Sequence, residues 1–326
     1  MKSIIRISGI GKLFFIMLLP ILLSMVACGG GGGGGGESSS SGITYTGITT
    51  QATIDSTNAD TLSNSALEGG YIASQFSTGA VQRENLARPY YIDLYVTMEE
   101  AIQQMDLKPS QNAVLAGAIS RETGTLNGKF GNAQYDIQLD TVTGVFSGTF
   151  VFNGYSADGI LSITGPASFS GTYNSISGQF PQLSFTFDSL VVTDGITSKT
   201  LKMTISYDNR TNPATVKMDG LLYSAQTGET TAAYYALTVS KSATYVDFSF
   251  SGKIYLHDYG YVNISTTNAF RINSGQKKPF QGVLIVDGKS GTKARLTALS
   301  STQYKVEADT NGDGTYEWDS GSVQWQ

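Results

Sequence analysis

Leu183-Ser184-Phe185-Thr186-Phe187-Asp188 places an apolar side chain at every second residue. Tyr245-Val246-Asp247-Phe248-Ser249-Phe250 does so again, with Val246, Phe248 and Phe250 in phase. A period of two is the repeat of a β-strand, whose successive side chains leave opposite faces. Each stretch therefore predicts a strand with one buried and one solvated side. Residues 133–139, 145–152, 159–163, 201–207, 215–222, 234–239 and 281–286 read the same way. Asp158-Gly159, Asp194-Gly195, Asp208-Asn209, Thr227-Gly228 and Asp287-Gly288 stand between them as turn signals. Strands this closely spaced leave no room for crossover helices and predict an antiparallel meander of about twelve strands. The expected fold is mostly β: a large antiparallel, strongly curved sheet or barrel-like domain over residues 111–326, with a short helical segment before it.

The curvature is read from glycine. Phe146-Ser147-Gly148-Thr149, Phe169-Ser170-Gly171-Thr172 and Phe250-Ser251-Gly252-Lys253 share an aromatic-x-Gly core, and Phe280-Gln281-Gly282 is similar. Glycine weakens a strand interior, so its recurrence predicts bends or bulges where the sheet curves, and an aromatic ring can cover the bare glycine on a neighbouring strand. The intervals are unequal, so this is no true solenoid or propeller repeat.

Residues 43–110 form a different, mixed segment. Ser56-Thr57-Asn58 predicts the cap of a helix that carries Ala59, Leu62 and Ala66 on one face and ends at Gly69-Gly70. A second helix is predicted after Pro89. There Tyr91, Leu94, Met98, Ile102 and Met105 recur at helical spacing, an apolar stripe suited to packing on the sheet.

Upstream, the sequence changes character again. Lys2, Arg6 and Lys12 precede an apolar run over residues 13–23, too short to span a bilayer as a permanent helix. It leads into Leu22-Leu23-Ser24-Met25-Val26-Ala27-Cys28, which places the chain's one cysteine directly after a small residue. This resembles the lipobox of bacterial lipoproteins, with Met25 where the pattern prefers Leu. The resemblance implies that residues 1–27 are a signal peptide, that Cys28 is acylated, and that the bilayer is the protein's first partner. Gly29 after the cysteine, in place of the Asp that retains such proteins at the inner membrane of enteric bacteria, implies the outer membrane. Two or more acyl chains anchor stably, because each buried CH₂ contributes about 0.8 kcal/mol. Residues 28–42 then form a tether: an unbroken glycine run from Gly29 to Gly36, followed by Glu37, four serines and Gly42. Such a chain buries no apolar surface and has a mean reach on the order of 20 Å.

After the leader the chain carries 18 basic against 26 acidic side chains, a net charge of −8, with no basic patch. Nucleic acid is therefore not an expected partner. With Cys28 acylated, no thiol remains for a disulfide or a thiolate nucleophile.

Asp309-Thr310-Asn311-Gly312-Asp313-Gly314-Thr315-Tyr316-Glu317 opens like a calcium loop, with oxygen-bearing side chains at positions 1, 3 and 5 and glycine at 6. Asp309, Asn311 and Asp313, the Thr315 carbonyl and Glu317 are the candidate ligands. Ser320 stands where the bidentate glutamate belongs, and the flanks alternate like strands. The loop is thus expected at the tip of a β-hairpin, structural in role, with or without Ca²⁺.

Catalytic signals are absent by comparison. His257 is the single histidine, within a strand-to-turn sequence, and reads as structural or as a surface group. Ser274-Gly275-Gln276-Lys277 and Lys289-Ser290-Gly291 mimic motifs of penicillin-recognising enzymes, yet they stand a dozen residues apart in Gly-rich turns and read as loops. Tyr234-Tyr235, Tyr255, Tyr259 and Tyr261 cluster, and such amphipathic rings suit protein or glycan recognition. The expected function is a non-catalytic binding or adhesion module of the bacterial envelope, without a cofactor beyond structural Ca²⁺. A structural envelope protein and a carboxylate-based hydrolase are the alternatives.

Overall fold

A computed structural model describes residues 43–75, residues 98, 101, 102 and 105, and residues 119–325 except 158, 160, 178, 194, 196, 274, 275 and 277. Side chains at 68–75 lie outside the description. The leader, Cys28 and the tether also lie outside the described residues, as do Tyr91 and Leu94.

Among the described residues, the fold is one antiparallel sheet of fifteen strands. They are β1 (Ile119–Asn127), β2 (Phe130–Asp140), β3 (Val145–Ser156), β4 (Ser162–Asn174), β5 (Gln179–Thr193), β6 (Ser198–Asp208), β7 (Ala214–Ser224) and β8 (Thr230–Lys241). Then follow β9 (Tyr245–Leu256), β10 (Gly260–Asn273), β11 (Gln281–Asp287), β12 (Lys293–Ser300), β13 (Gln303–Asp309), β14 (Trp318–Asp319) and β15 (Val323–Gln324). From β1 to β14 each strand pairs with its neighbour in sequence, and β15 returns to β13. The first and last strands do not meet, so the sheet is open and the barrel-like alternative does not hold.

Along most strands burial alternates, as in β3, where Phe146, Phe150 and Phe152 are buried between exposed Val145, Ser147, Thr149 and Val151. The buried faces of β1 to β13 form one continuous core, rich in phenylalanine: Phe146, Phe150, Phe169, Phe185, Phe187, Phe248, Phe250 and Phe270. A flat sheet would leave that face in water, at a loss of about 1.5–3 kcal/mol for each large side chain. Curvature turns it inward, and the strands carry the devices that produce curvature. The register slips between Phe152 and Tyr155 of β3 and between Thr164 and Ala167 of β4. Gly154 and Gly165, with φ of 61° and 119°, sit at these bulges in backbone conformations that side chains resist.

Two of the aromatic-x-Gly segments, on β3 and β4, behave as expected and do so reciprocally, whereas Gly252 of the third lies against the backbone of Tyr234. Phe146 of β3 lies opposite Gly171 of β4, and Phe169 of β4 lies opposite Gly148 of β3. A Cβ on Gly148 would meet Phe169 Cζ at 2.5 Å, and one on Gly171 would meet Phe146 Cζ at 2.9 Å. Each ring occupies the space its partner glycine leaves open. Tyr135 covers Gly124 between β1 and β2, and Phe270 covers Gly282 between β10 and β11, in the same manner.

The helix α1 (Ala59–Gln75) packs on the sheet. Ala59, Leu62, Ala66 and Leu67 are buried in the core. Its entry corrects the expected cap. Asp55, one residue upstream, accepts the N–H groups of Thr57 and Asn58 at 2.7 and 3.1 Å, while the Asn58 side chain accepts the Asp55 N–H at 3.0 Å. This reciprocal pair is a capping box. The helix also continues through Gly69-Gly70, where termination was expected. Burial of the preceding turn outweighs the glycine penalty of about 1 kcal/mol per residue. Asn64 of α1 donates to the Tyr304 hydroxyl, which bonds Asp60, and the Tyr304 ring stacks on Trp325. Met98, Ala101 and Ile102 are helical and, with Met105, buried in the same core, as the predicted stripe requires.

Residues 47–54 run as a strap across one end of β9 to β12. Ile48 N–H donates to the His257 carbonyl at 2.9 Å, and Ala52 N–H to the Tyr261 carbonyl at 2.9 Å. Tyr261 N–H donates to Thr50 and Lys289 N–H to Ala52. Ala52 and Ile54 are buried beneath this ladder.

Candidate functional site

The Asp309 segment is the tip of the β13–β14 hairpin, in which Ala308 pairs with Trp318 and Glu307 with Asp319. Asp309 is only 1% exposed. Its two carboxylate oxygens accept the N–H groups of Gly312 at 2.7 Å and Gly314 at 2.8 Å. Gly312 and Gly314 have φ of 80° and 92°, which lets both amides turn toward the one carboxylate. Asp313 accepts the Thr315 N–H, a bond that holds its carboxyl below the ordinary range. Glu317 accepts the Thr310 N–H at 3.0 Å.

One carboxylate oxygen each from Asp309, Asp313 and Glu317 lies within 4.8 Å of the others. The loop therefore gathers three of the five expected ligands. Asn311 is turned within the loop: its amide bonds Asp313 Oδ2, and its carbonyl oxygen accepts the Asp313 N–H. Hard oxygen donors of this kind suit Ca²⁺, whose bonds run 2.3–2.6 Å. Even without an ion, Asp309 closes the tip by itself.

Lys289-Ser290-Gly291 is a single 3₁₀ turn lying against this tip, close enough that a Cβ on Gly312 would strike the Ser290 carbonyl. That bears out its reading as a loop. Ser274 and Lys277 lie outside the described residues.

The tyrosines form a second candidate. Register places Tyr234 of β8 opposite Lys253 of β9, and Tyr255 of β9 opposite Tyr261 of β10, all on the outward face. Tyr255 sits at the centre, its ring 6.2 Å from that of Tyr234, 5.3 Å from Tyr261 and 5.5 Å from Tyr45. Lys253 Nζ lies 4.2 Å from the Tyr261 ring, within cation–π range. The patch is half-exposed, with Tyr234 at 41%. Burial raises the phenol pKa values of Tyr45 and Tyr234 above the ordinary value, aided by the charges of Asp258 at Tyr45 and of Asp219 at Tyr234. Both stay neutral at physiological pH and remain hydrogen-bond donors.

Tyr235, grouped with these residues in the sequence, points the other way and packs against Phe250 in the core. Tyr259 is exposed in the β9–β10 turn. Tyr45 is the member that sequence reading misses. The strap brings it to the patch, where its hydroxyl lies within hydrogen-bond reach of two carbonyls, Leu256 at 3.0 Å and Ile48 at 3.1 Å, and its one proton serves either.

His257 follows Leu256 at the same end of β9, and its Nδ1 lies 2.7 Å from Asp258 Oδ1. No family model, curated protein or solved structure matches this chain.

Proposed function

We propose that the protein is a lipid-anchored component of the bacterial envelope, acylated at Cys28, which presents the tyrosine patch of β8–β10 to a glycan or protein at the outer membrane. The observation that carries the binding role is the patch itself: Tyr45, Tyr234, Tyr255 and Tyr261 side by side with Lys253 on an open sheet face. Rings with polar tips bury apolar area against a partner while their hydroxyls bond it, at little entropic cost. Residues 28–42 as a flexible tether would let this face reorient toward its ligand. The Asp309 loop is assigned a structural role, with Ca²⁺ as the ion its oxygen donors would take.

The test is titration of detergent-solubilised protein with soluble envelope polysaccharides and purified surface proteins, followed by tyrosine fluorescence and calorimetry. Truncating a central aromatic contact costs about 1–3 kcal/mol, so Tyr255→Ala should weaken binding roughly 5- to 150-fold with little change in melting temperature. Binding that survives both Tyr234→Ala and Tyr255→Ala would remove this face from the function.

A further inference from the structure

The chain's only histidine stands where two hairpins and the strap converge. His257 and Asp258 occupy the β9–β10 turn, and Glu229 ends the β7–β8 turn beside them. One ligand atom each from Glu229, His257 and Asp258 lies within 4.8 Å of the other two. Glu229 is placed by its own tight turn, in which Ser224 N–H donates to the Glu229 carbonyl and Gly228 N–H to the Ser224 carbonyl. His257 is placed by the strap, through Ile48 N–H on its carbonyl and Tyr45 Oη on the preceding one. Gly47 packs so closely that a Cβ there would come within 2.6 Å of the His257 Cα.

We propose that Glu229, His257 and Asp258 form a binding site for a divalent transition-metal ion of the Zn²⁺ class. One imidazole nitrogen and two carboxylate oxygens are the donors such an ion takes, at bond lengths of 2.0–2.2 Å. Ligands at that distance from a tetrahedral centre are about 3.4 Å apart. The present 2.7 Å contact between His257 and Asp258 would open by less than 1 Å to admit the ion, and the Glu229 carboxylate oxygen already lies within 4.8 Å of both partners. The imidazole separates this site from the Asp309 loop, whose donors are all oxygen and suit a harder cation. Asp258 is 71% exposed at its side chain, so the ion faces water and keeps a fourth position open. The site stands next to the tyrosine patch in the chain, since Tyr45 bonds the carbonyl of Leu256 and packs its ring on Tyr255. The ion would also fasten the β7–β8 turn to the β9–β10 turn.

The test uses the full chain in detergent, stripped with chelator. Calorimetric titration with Zn²⁺ should show one strong site per chain, and Co²⁺ should develop the visible absorption of a site with a nitrogen ligand. His257→Ala should abolish both signals, and Glu229→Gln should weaken Zn²⁺ at least about tenfold. Asp313→Asn, at the other acidic cluster, should leave Zn²⁺ binding unchanged. Circular dichroism and melting temperature confirm that each variant is folded. Absence of Zn²⁺ binding to the wild-type protein, or Zn²⁺ binding that His257→Ala leaves intact, overturns the assignment.

Discussion

Replacing Asp309 with alanine should loosen the end of the sheet by an amount that the hairpin geometry sets. Its carboxylate is buried and accepts two backbone N–H groups at 2.7 and 2.8 Å. Hydrogen bonds to charged groups contribute about 1.5–3 kcal/mol each. The stranded amides of Gly312 and Gly314 are only part-buried and would recover some hydration, so the expected loss is about 3 kcal/mol. For a chain of this size, 1 kcal/mol moves the melting temperature by about 2–4 °C, which predicts a fall of about 6–12 °C. Asp309→Asn keeps the shape and one acceptor oxygen and should lie midway. Asp313 is solvent-exposed at the tip, so Asp313→Ala in EDTA should lower the melting temperature far less than Asp309→Ala does. Scanning calorimetry in EDTA and again in excess Ca²⁺ separates the contributions of protein and ion. Ca²⁺ that binds the folded state stabilises it in proportion to the logarithm of its concentration, and Asp313→Ala should remove that increment. The reasoning fails if Asp309→Ala melts within about 1 °C of wild type in EDTA. It fails equally if Asp313→Ala costs as much as Asp309→Ala without any ion.

Two further expectations concern the sheet. Gly148→Ala brings a methyl group to 2.5 Å from both the Phe169 ring and the Asp136 carbonyl, which predicts a loss of about 1–3 kcal/mol. Phe169→Ala should cost about 3–5 kcal/mol, and the double variant less than the sum, since truncating the ring relieves part of the clash; urea denaturation measures all three. At the β1–β2 edge, Tyr135 donates to Glu122 Oε1 at 2.6 Å, and this bond is the main cause of a phenol pKa pushed up to about 12. The folded value lies above the unfolded one, so this stabilisation is complete below about pH 10 and is lost as the pH rises toward 12. Ultraviolet titration should show one late-ionising tyrosine that Tyr135→Phe removes.

The period-two stretches made the sheet legible, because with one face buried the register is set by the side chains themselves. Leu183, Phe185 and Phe187 are buried in the phase their alternation predicts, and the same rule sends Tyr235 inward while Tyr234 stays out. Even the covering of Gly148 by Phe169 follows from repeated aromatic-x-Gly segments meeting antiparallel, so each ring falls opposite a glycine. What eluded the sequence is what depends on distant partners. The end of α1 was misplaced because tertiary burial of Leu62, Ala66 and Leu67 overrides the local signal of Gly69-Gly70. Open sheet and closed barrel share one alternation pattern, and only the failure of the terminal strands to meet distinguishes them. Tyr45 joins Tyr255 through hydrogen bonds along the strap, and Glu229 meets His257 across neighbouring hairpin turns. No local spacing encodes either meeting.

The tether and its lipid underlie the proposed placement of the binding face, and Cys28 tests them most directly. Cells producing wild-type protein or Cys28→Ala would be fractionated, and the mature N-terminus analysed by mass spectrometry. The account predicts that the wild-type chain begins at an acylated Cys28 and sediments with the outer membrane, whereas Cys28→Ala loses the acyl mass and leaves that fraction. A Cys28→Ala protein still bound to the outer membrane, or a wild-type chain without lipid at Cys28, would contradict it.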